Sequence, residues 1–385
     1  MGSTGTTGTT EQNVMQQDKS ILSVVEFVKD LTFIQVKEKA ETVPYNFKVS
    51  DFGELYMLSF TDKSNMALAV VRSMNGVVFE KETNKLIHFS FQKAYDGVHC
   101  EHTENEKDAY RGEKPENYDV EISTEGTHIK VYYYNDKWNI GTSRSIDASI
   151  SHWGSMKSFK EMFHDCLEFE KIDIELLDKN HCYSWVMQHP ENKVCNDIIT
   201  PYCSMLNYIN TETFVITRAT GGFIVDVEID QVINDVNDDR CNQNFLVYFA
   251  DGRRIKLTNT NFKRIQDMVK NDPNIDRAYV RCLQNGRSEE MKQHFQSERG
   301  RFDFIDNRVN DVVRDIHRTY MDLHIRKMTD VVVFHKYEKS LKQLHWSYRQ
   351  TREKITQQVV REYLLKLPVK ILMWVLDLQQ TKPAA

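Results

Sequence analysis

The apolar residues of this 385-residue chain change rhythm once, and that change limits the fold more than any other feature. From about residue 288 onward they recur every three or four positions. In "FIDNRVNDVVRDIHRTYMDLHI" the repeating set is Ile305, Val309, Val312, Val313, Ile316 and Tyr320. That period places them on one stripe of a helix. "KYEKSLKQLHWSYRQ", "KITQQVVREYLLKL" and "VKILMWVLDL" continue the pattern, with Pro368 breaking the last two apart. Before residue 288 the apolar residues come in short runs separated by polar turns. "LYMLSF", "ALAVVRS", "GVVFEK", "IHFSF", "YSWVMQH", "GFIVDVEI", "QNFLVYF" and "RRIKLTN" all have strand texture. In "HIKVYYYNDKWNIGTS", "VYYY" and "WNIGT" predict the arms of a hairpin around the turn "NDK". Three helices interrupt this region: residues 20–40, "SMKSFKEMFHDCLEF" with Phe159, Met162, Phe163 and Cys166 on one side, and one beginning at "FKRIQDMVK". The expectation is an α+β body of antiparallel sheet, residues 19–287, followed by an all-helical C-terminal domain, residues 288–385. A flexible Gly/Thr tail, residues 1–18, precedes them, and residues 101–118 read as a charged surface loop.

Charge divides along the same line. Residues 1–298 hold 33 basic and 46 acidic side chains, and residues 299–385 hold 17 and 10, within a total net charge of −6. A basic helical part on an acidic body suits either a polyanion partner or docking of one part on the other. "RGRFDFIDNR", "HIRK" and "HWSYRQTREK" set arginine beside aromatic residues, the chemistry of a single-stranded RNA surface. An ordinary amphipathic helix face also accounts for them. Seven widely spaced cysteines with no secretion signal point to reduced thiols in a cytoplasmic setting. His181, Cys182, Cys195 and Cys203 lack the short paired spacing of zinc ligands, so buried thiols are expected there. No run of 18 apolar residues predicts a membrane span.

The segment "EISTEGTHIKVYYYNDKWNIGTS" raises the functional question. An acidic residue, Glu125, precedes Gly126 between two strand-like runs, and Ser123 stands two positions earlier. "NGVVFEKETNKLIHFSFQKAYDG" lies ahead of it; "YSWVMQHPENKV" and "GRRIKLTN" follow. In order and spacing over residues 45–285 these landmarks resemble the bacteriophage-type RNA ligases of the covalent nucleotidyltransferase superfamily, and more closely their divergent relatives in large DNA viruses. The resemblance implies an antiparallel-sheet nucleotidyltransferase body, an ATP-grasp-like ligase arrangement, with ATP and magnesium as cofactors. In such enzymes a lysine attacks the α-phosphate of ATP and forms a phosphoramide. The acid two residues later contacts ribose, a glutamate on another strand helps hold metal, and two basic residues on the last strand neutralise phosphate charge.

Carried over residue by residue, Glu125 and Gly126 match the acid and its glycine. Arg254 and Lys256 match the basic pair and share one strand face by alternation. Lys193 matches the basic residue after Pro190 and Asn192. The other places have changed. Ser123 occupies the nucleophile position, and an unactivated hydroxyl is a poor nucleophile. The family's Arg-Gly is Asn75-Gly76, with Arg72 close by. The metal-linked glutamate falls near Val186, and the later Glu-Gly falls near Gln243-Asn244. Lys93 is the substitute nucleophile to weigh, but its spacing is one residue too long, which reverses its face. Lys130 lies an odd five residues from Glu125 and is read onto the opposite face. Tyr132, Tyr133, Tyr134 and Trp138 either stack a base or pack across strands.

The expected function is a degenerate RNA-ligase-like protein that binds nucleotide or RNA without lysine adenylylation. An active ligase with a displaced lysine, and a virion or scaffold protein that retains only the fold, are the alternatives.

Overall fold

The computed structural model describes residues 18–91, 93–96, 117–193, 195–219, 224–225, 227–238, 243–249 and 254–378. The Gly/Thr tail up to residue 17, most of the charged loop at 101–118, Cys100 and Cys241 lie outside the described residues.

Helices α1 (Lys19–Val28) and α2 (Phe33–Glu41) open the fold where the sequence suggested one helix. Asp18 caps α1, accepting from the Ser20 and Ile21 amides at 2.7 and 3.3 Å. Thr32 and Gln35 form a capping box that starts a second helix, and Asp30, between the two helices, takes φ +57°. Strands β1 (Lys48–Phe52), β2 (Leu55–Ser59), β3 (Asn75–Glu80) and β4 (Leu86–His88) form an antiparallel sheet in that order. Between β2 and β3 lies α3 (Ala69–Ser73), which corrects the strand expected for "ALAVVRS". Local texture could not separate the two here, because a short apolar run suits either a buried strand or one helical turn.

The second sheet has the order β11-β10-β9-β7-β8, from Ile216–Arg218, Tyr202–Asn210, His181–Gln188, Thr127–Tyr134 and Lys137–Thr142. The β7–β8 hairpin turns through Asn135 and Asp136 at φ 51° and 56°, the left-handed pair that a two-residue turn requires. The third sheet has the order β12-β6-β13-β14-β5, from Ile224–Val225, Tyr118–Ser123, Asn244–Phe249, Arg254–Leu257 and Tyr95–Asp96. Its pairs are antiparallel except β14 with β5. The long strand expected from "GFIVDVEI" is only Ile224–Val225 among the described residues, and helix α5 (Ile229–Asn237) begins at Ile229.

The second sheet separates two cores. On one face Tyr132, Cys182 and Ile209 join the first sheet and helices α1–α3 in a single cluster. On the other, Ile129, Val131 and Trp185 pack on helix α4 (Phe159–Glu170), whose Met162, Phe163 and Cys166 are buried. Tyr133 meets Trp138 edge-on at 5.3 Å, and Trp138 meets Tyr183 at 6.0 Å, so these rings pack across strands. Val120, Phe245, Val247, Ile255 and Leu257 bury the inner face of the third sheet against α5.

Every described element after β14 is helical: α6 (Thr260–Val269), α7 (Ile275–Gln284), α8 (Ser288–His294), α9 (Arg299–Tyr320), α10 (His335–Thr351), α11 (Gln357–Leu365) and α12 (Val369–Val375). They share one core running from Met268 to Leu376. The stripe anticipated on α9 is its buried face, and the stacked rings of Tyr279 and Phe302, 4.3 Å apart, lie in that core. No helix among the described residues is long and apolar enough to cross a membrane.

Candidate functional site

The chain changes sheets at the acidic glycine turn. β6 ends at Ser123 in the third sheet, and β7 begins at Thr127 in the second. Glu125 and Gly126 therefore form the joint between two sheets. The joint is tight: a Cβ on Gly126 would sit 2.8 Å from the Val186 Cγ2 and closer still to the Met187 carbonyl oxygen. Only glycine fits there without displacing β9.

The Glu125 carboxylate collects partners from three strands. Its Oε1 accepts from Asn244 Nδ2 at 3.0 Å and from the Ser123 hydroxyl at 3.4 Å. The Lys256 ammonium forms an ion pair with the same oxygen. Its main-chain carbonyl accepts from Gln188 Nε2 at 2.6 Å. Asn244 is held in turn, because its Oδ1 accepts the Asn259 amide at 2.7 Å. Asn259 caps α6, accepting from the Phe262 amide at 3.1 Å. A cavity of about 70 Å³ opens beside Glu125 and Gly126, walled by Gln188, Asn192, Cys195 and Phe262. Burial, with the Glu125 charge adding to it, pushes the Cys195 thiol up to about 11, so it is protonated at neutral pH.

Register places the remaining polar groups beside this joint. Ser123 pairs with Asn244, Glu121 pairs with Leu246 opposite Lys256, and Asp119 pairs with Tyr248 opposite Arg254. Directly paired residues point to the same side, so these groups share the face opposite the α5 core. The Arg254 guanidinium lies 4.4 Å over Phe91 and 5.0 Å over Tyr248. Arg218 covers Tyr248 at 4.4 Å and reaches Asp119 at 3.2 Å. Burial raises the Glu121 carboxyl against the opposing pull of Arg218, and burial depresses Arg254.

Of the sequence candidates, then, Ser123, Glu125, Gly126 and Lys256 meet at the joint, and Arg254 lies two residues from Lys256 along β14. Three others have different surroundings. Arg72 donates to the Met66 and Ala67 carbonyls at 2.7 and 3.2 Å. The Lys93 ammonium sits 5.7 Å over Phe60. Lys193 pairs with Glu298 at 2.8 Å and Asp197 at 3.2 Å, tying the segment after β9 to the turn before α9.

Sequence reasoning passed over Gln188, Asn259 and Arg218, and counted Asn244 only as a loss. Each acts through a partner on another element, 63 residues away for Gln188, 15 for Asn259 and a ring on another strand for Arg218, so no local signal marks it. Lys130 is the other surprise. It is fully buried, donates to the Gly76 carbonyl and lies 3.4 Å from the Met57 sulfur. Gly76 has φ +69°, and a Cβ on it would come within 2.5 Å of the Lys130 Nζ and the Ser143 carbonyl oxygen. Burial lowers Lys130 to about 7, and burial with Lys130's charge takes the neighbouring His128 down to about 3. The alternation argument for Lys130 does not cross the sheet change at Glu125–Gly126.

Burial likewise drives the Cys182 and Cys203 thiols up to about 12. Among the described residues no group of three or more histidine, cysteine or acidic side chains gathers as a metal cage.

No family model matches the chain. In sequence it is similar to two proteins named "Immediate-early protein ICP-46 homolog". With that of Invertebrate iridescent virus 3 it shares 39% identity over 98 residues, 25% of this chain and 22% of that protein. With that of Invertebrate iridescent virus 6 it shares 22% identity over 287 residues, 63% of each. The matches thus span less than two thirds of either relative. Among solved structures it is similar to a putative ATP-dependent DNA ligase from Aquifex aeolicus, with a TM-score of 0.38 and 12% identity over 74% of this chain and 80% of that one. An archaeal ATP-dependent RNA ligase gives a TM-score of 0.37 and 11% identity over 71% and 73%. A Naegleria gruberi RNA ligase gives 0.28 and 10% over 39% and 52%. The chain is thus similar in sequence to proteins of iridescent viruses, and distantly in outline to ATP-dependent ligases.

Proposed function

We propose that this chain is an RNA-ligase-like nucleotidyltransferase relative that holds a nucleotide at the joint of its second and third sheets and does not adenylylate itself. The observation that carries the reading is the group of partners around Glu125. A hydroxyl stands where an attacking amine would be needed, and the nearby ammonium, Lys256, is engaged by the carboxylate. A lysine engaged by a carboxylate must leave that ion pair before it can reach phosphorus. Glu125 and Asn244 are suited to ribose hydroxyls, and Arg254, Arg218 and Lys256 to a polyphosphate. Phosphate entry would compete with Glu125 for Lys256, so binding exchanges one ion pair for another. The iridescent-virus relatives favour a viral setting, with the protein acting in the host cytoplasm or virion.

The test is incubation with α-labelled ATP and magnesium, followed by denaturing electrophoresis and thermal melting. The expected result is no acid-labile protein–AMP band, together with a rise in melting temperature that Arg254→Ala and Lys256→Ala abolish. An adenylylated lysine would sink the reading. So would a melting temperature indifferent to ATP.

A further inference from the structure

The helical part carries a second cavity, of about 540 Å³, between the end of α9 and the outer face of α10. After Tyr320 the helix widens into one π turn over Met321–Ile325, in which the Arg326 amide reaches back to the Met321 carbonyl at 2.8 Å. Such turns cost helix regularity and recur where a side chain must be re-aimed. Here the turn sets His324 flat against His345 of α10, with ring centroids 3.9 Å apart and an interplanar angle of 8°. Tyr320 abuts His324 at 4.8 Å, and Tyr348 continues the column beyond His345 at 6.2 Å. Burial and the neighbouring ring depress His324, which favours its neutral form.

Leu323, Val333 and Leu341 give the cavity an apolar floor, and Trp346 stands at its edge with 58% of its surface exposed. Lys342 and Arg349, seven residues apart on the same face of α10, flank it. Neither has an acidic partner among the described residues, whereas most cations of the sheet joint are matched by a carboxylate or a ring. The one acid of the lining, Glu338, faces His335 at 3.4 Å.

We propose that this cavity binds a base of a single-stranded nucleic acid, with Trp346 and the imidazole column as stacking surfaces and Lys342 and Arg349 contacting the flanking phosphates. Planar rings beside unpaired cations match the two halves of a nucleotide, and stacking is tolerant of base identity. An apolar peptide would use the floor and leave both cations unanswered. The net positive balance of residues 299–385, 17 basic against 10 acidic, adds long-range attraction. The proposal stands independently of nucleotide binding at the sheet joint.

The experiment uses the full chain and a fluorescein-labelled 15-nucleotide oligoadenylate, read by anisotropy from 50 to 200 mM salt. The expected result is salt-dependent binding that Trp346→Ala weakens about tenfold, within the range for one lost base stack. Trp346→Phe should restore most of it. Lys342→Glu with Arg349→Glu should flatten the log–log salt slope by about one to two. Lys256→Ala should leave the anisotropy unchanged even where it removes the ATP-induced melting shift, which separates this site from the joint. Circular dichroism and melting of each variant check that it folds. Equal binding by Trp346→Ala and the parent would overturn the proposal, as would equal binding by a duplex of the same length. Capture of an apolar peptide with no affinity for the oligonucleotide would also overturn it and give the surface to a protein partner.

Discussion

The sheet joint and the helical cavity handle charge in opposite ways. At the joint, Lys256 faces Glu125, Arg218 faces Asp119, and Arg254 lies between two rings. A neighbouring backbone leaves no room for a side chain at Gly126. At the cavity, Lys342, Arg349 and Trp346 project from one exposed helix face. The difference separates fold from function. On the proposed reading, changes at the joint should act on stability and binding together, because each group completes another, and changes at the cavity edge on binding alone.

The largest effect is expected from Lys130, behind the joint on β7. Burying an amine without a carboxylate is costly, so Lys130→Met should raise the unfolding free energy at pH 7 by about 1–4 kcal/mol, read by urea denaturation. The pH dependence gives a sharper version. With a folded value near 7 and an ordinary unfolded value near 10.5, the unfolded chain holds a proton that the folded chain lacks throughout that interval. Lys130's contribution to stability should therefore climb with pH from 7 to 10.5 and be flat below 7. In Lys130→Met that climb should vanish. An unchanged slope would mean the ammonium is solvated after all.

Next comes Gly126→Ala, which should lower stability by about 1–3 kcal/mol through overpacking against β9, again by urea denaturation. A neutral result would show that the two sheets can separate at that point. Glu125→Gln keeps the shape and removes the charge facing Lys256. It should cost about 1 kcal/mol in a thermal melt and weaken magnesium–ATP binding in calorimetry, since ribose loses its better acceptor. The smallest stability effect belongs to Trp346→Ala, expected within about 0.5 kcal/mol of the parent. A larger loss would erase the contrast between the two regions.

The same contrast governs what the sequence could disclose. The stripe on α9, the packed side of α4 and the Asn135–Asp136 turn obey local rules, and local rules were enough to find them. Glu125, Gly126 and Lys256 were singled out through ordered spacing, and the structure brings them together at one joint. "ALAVVRS" was misread because five residues cannot display a period. Asn244 and Asn259 stayed hidden because their meaning lies in one bond, across 15 residues, between a strand and a helix cap. Parity carries no information about Lys130, because alternation holds only within one strand, and β6 ends at Ser123.

That asparagine pair has a mechanical consequence. Asn244 grips Glu125 with its amide nitrogen and the start of α6 with its oxygen, so one planar group gears the acidic turn to the first helix of the bundle. Whatever pulls the carboxylate aside must swing that plane and loosen the helix's first turn. Deuterium uptake at the Phe262 amide would then report on events at a carboxylate more than a hundred residues earlier in the chain.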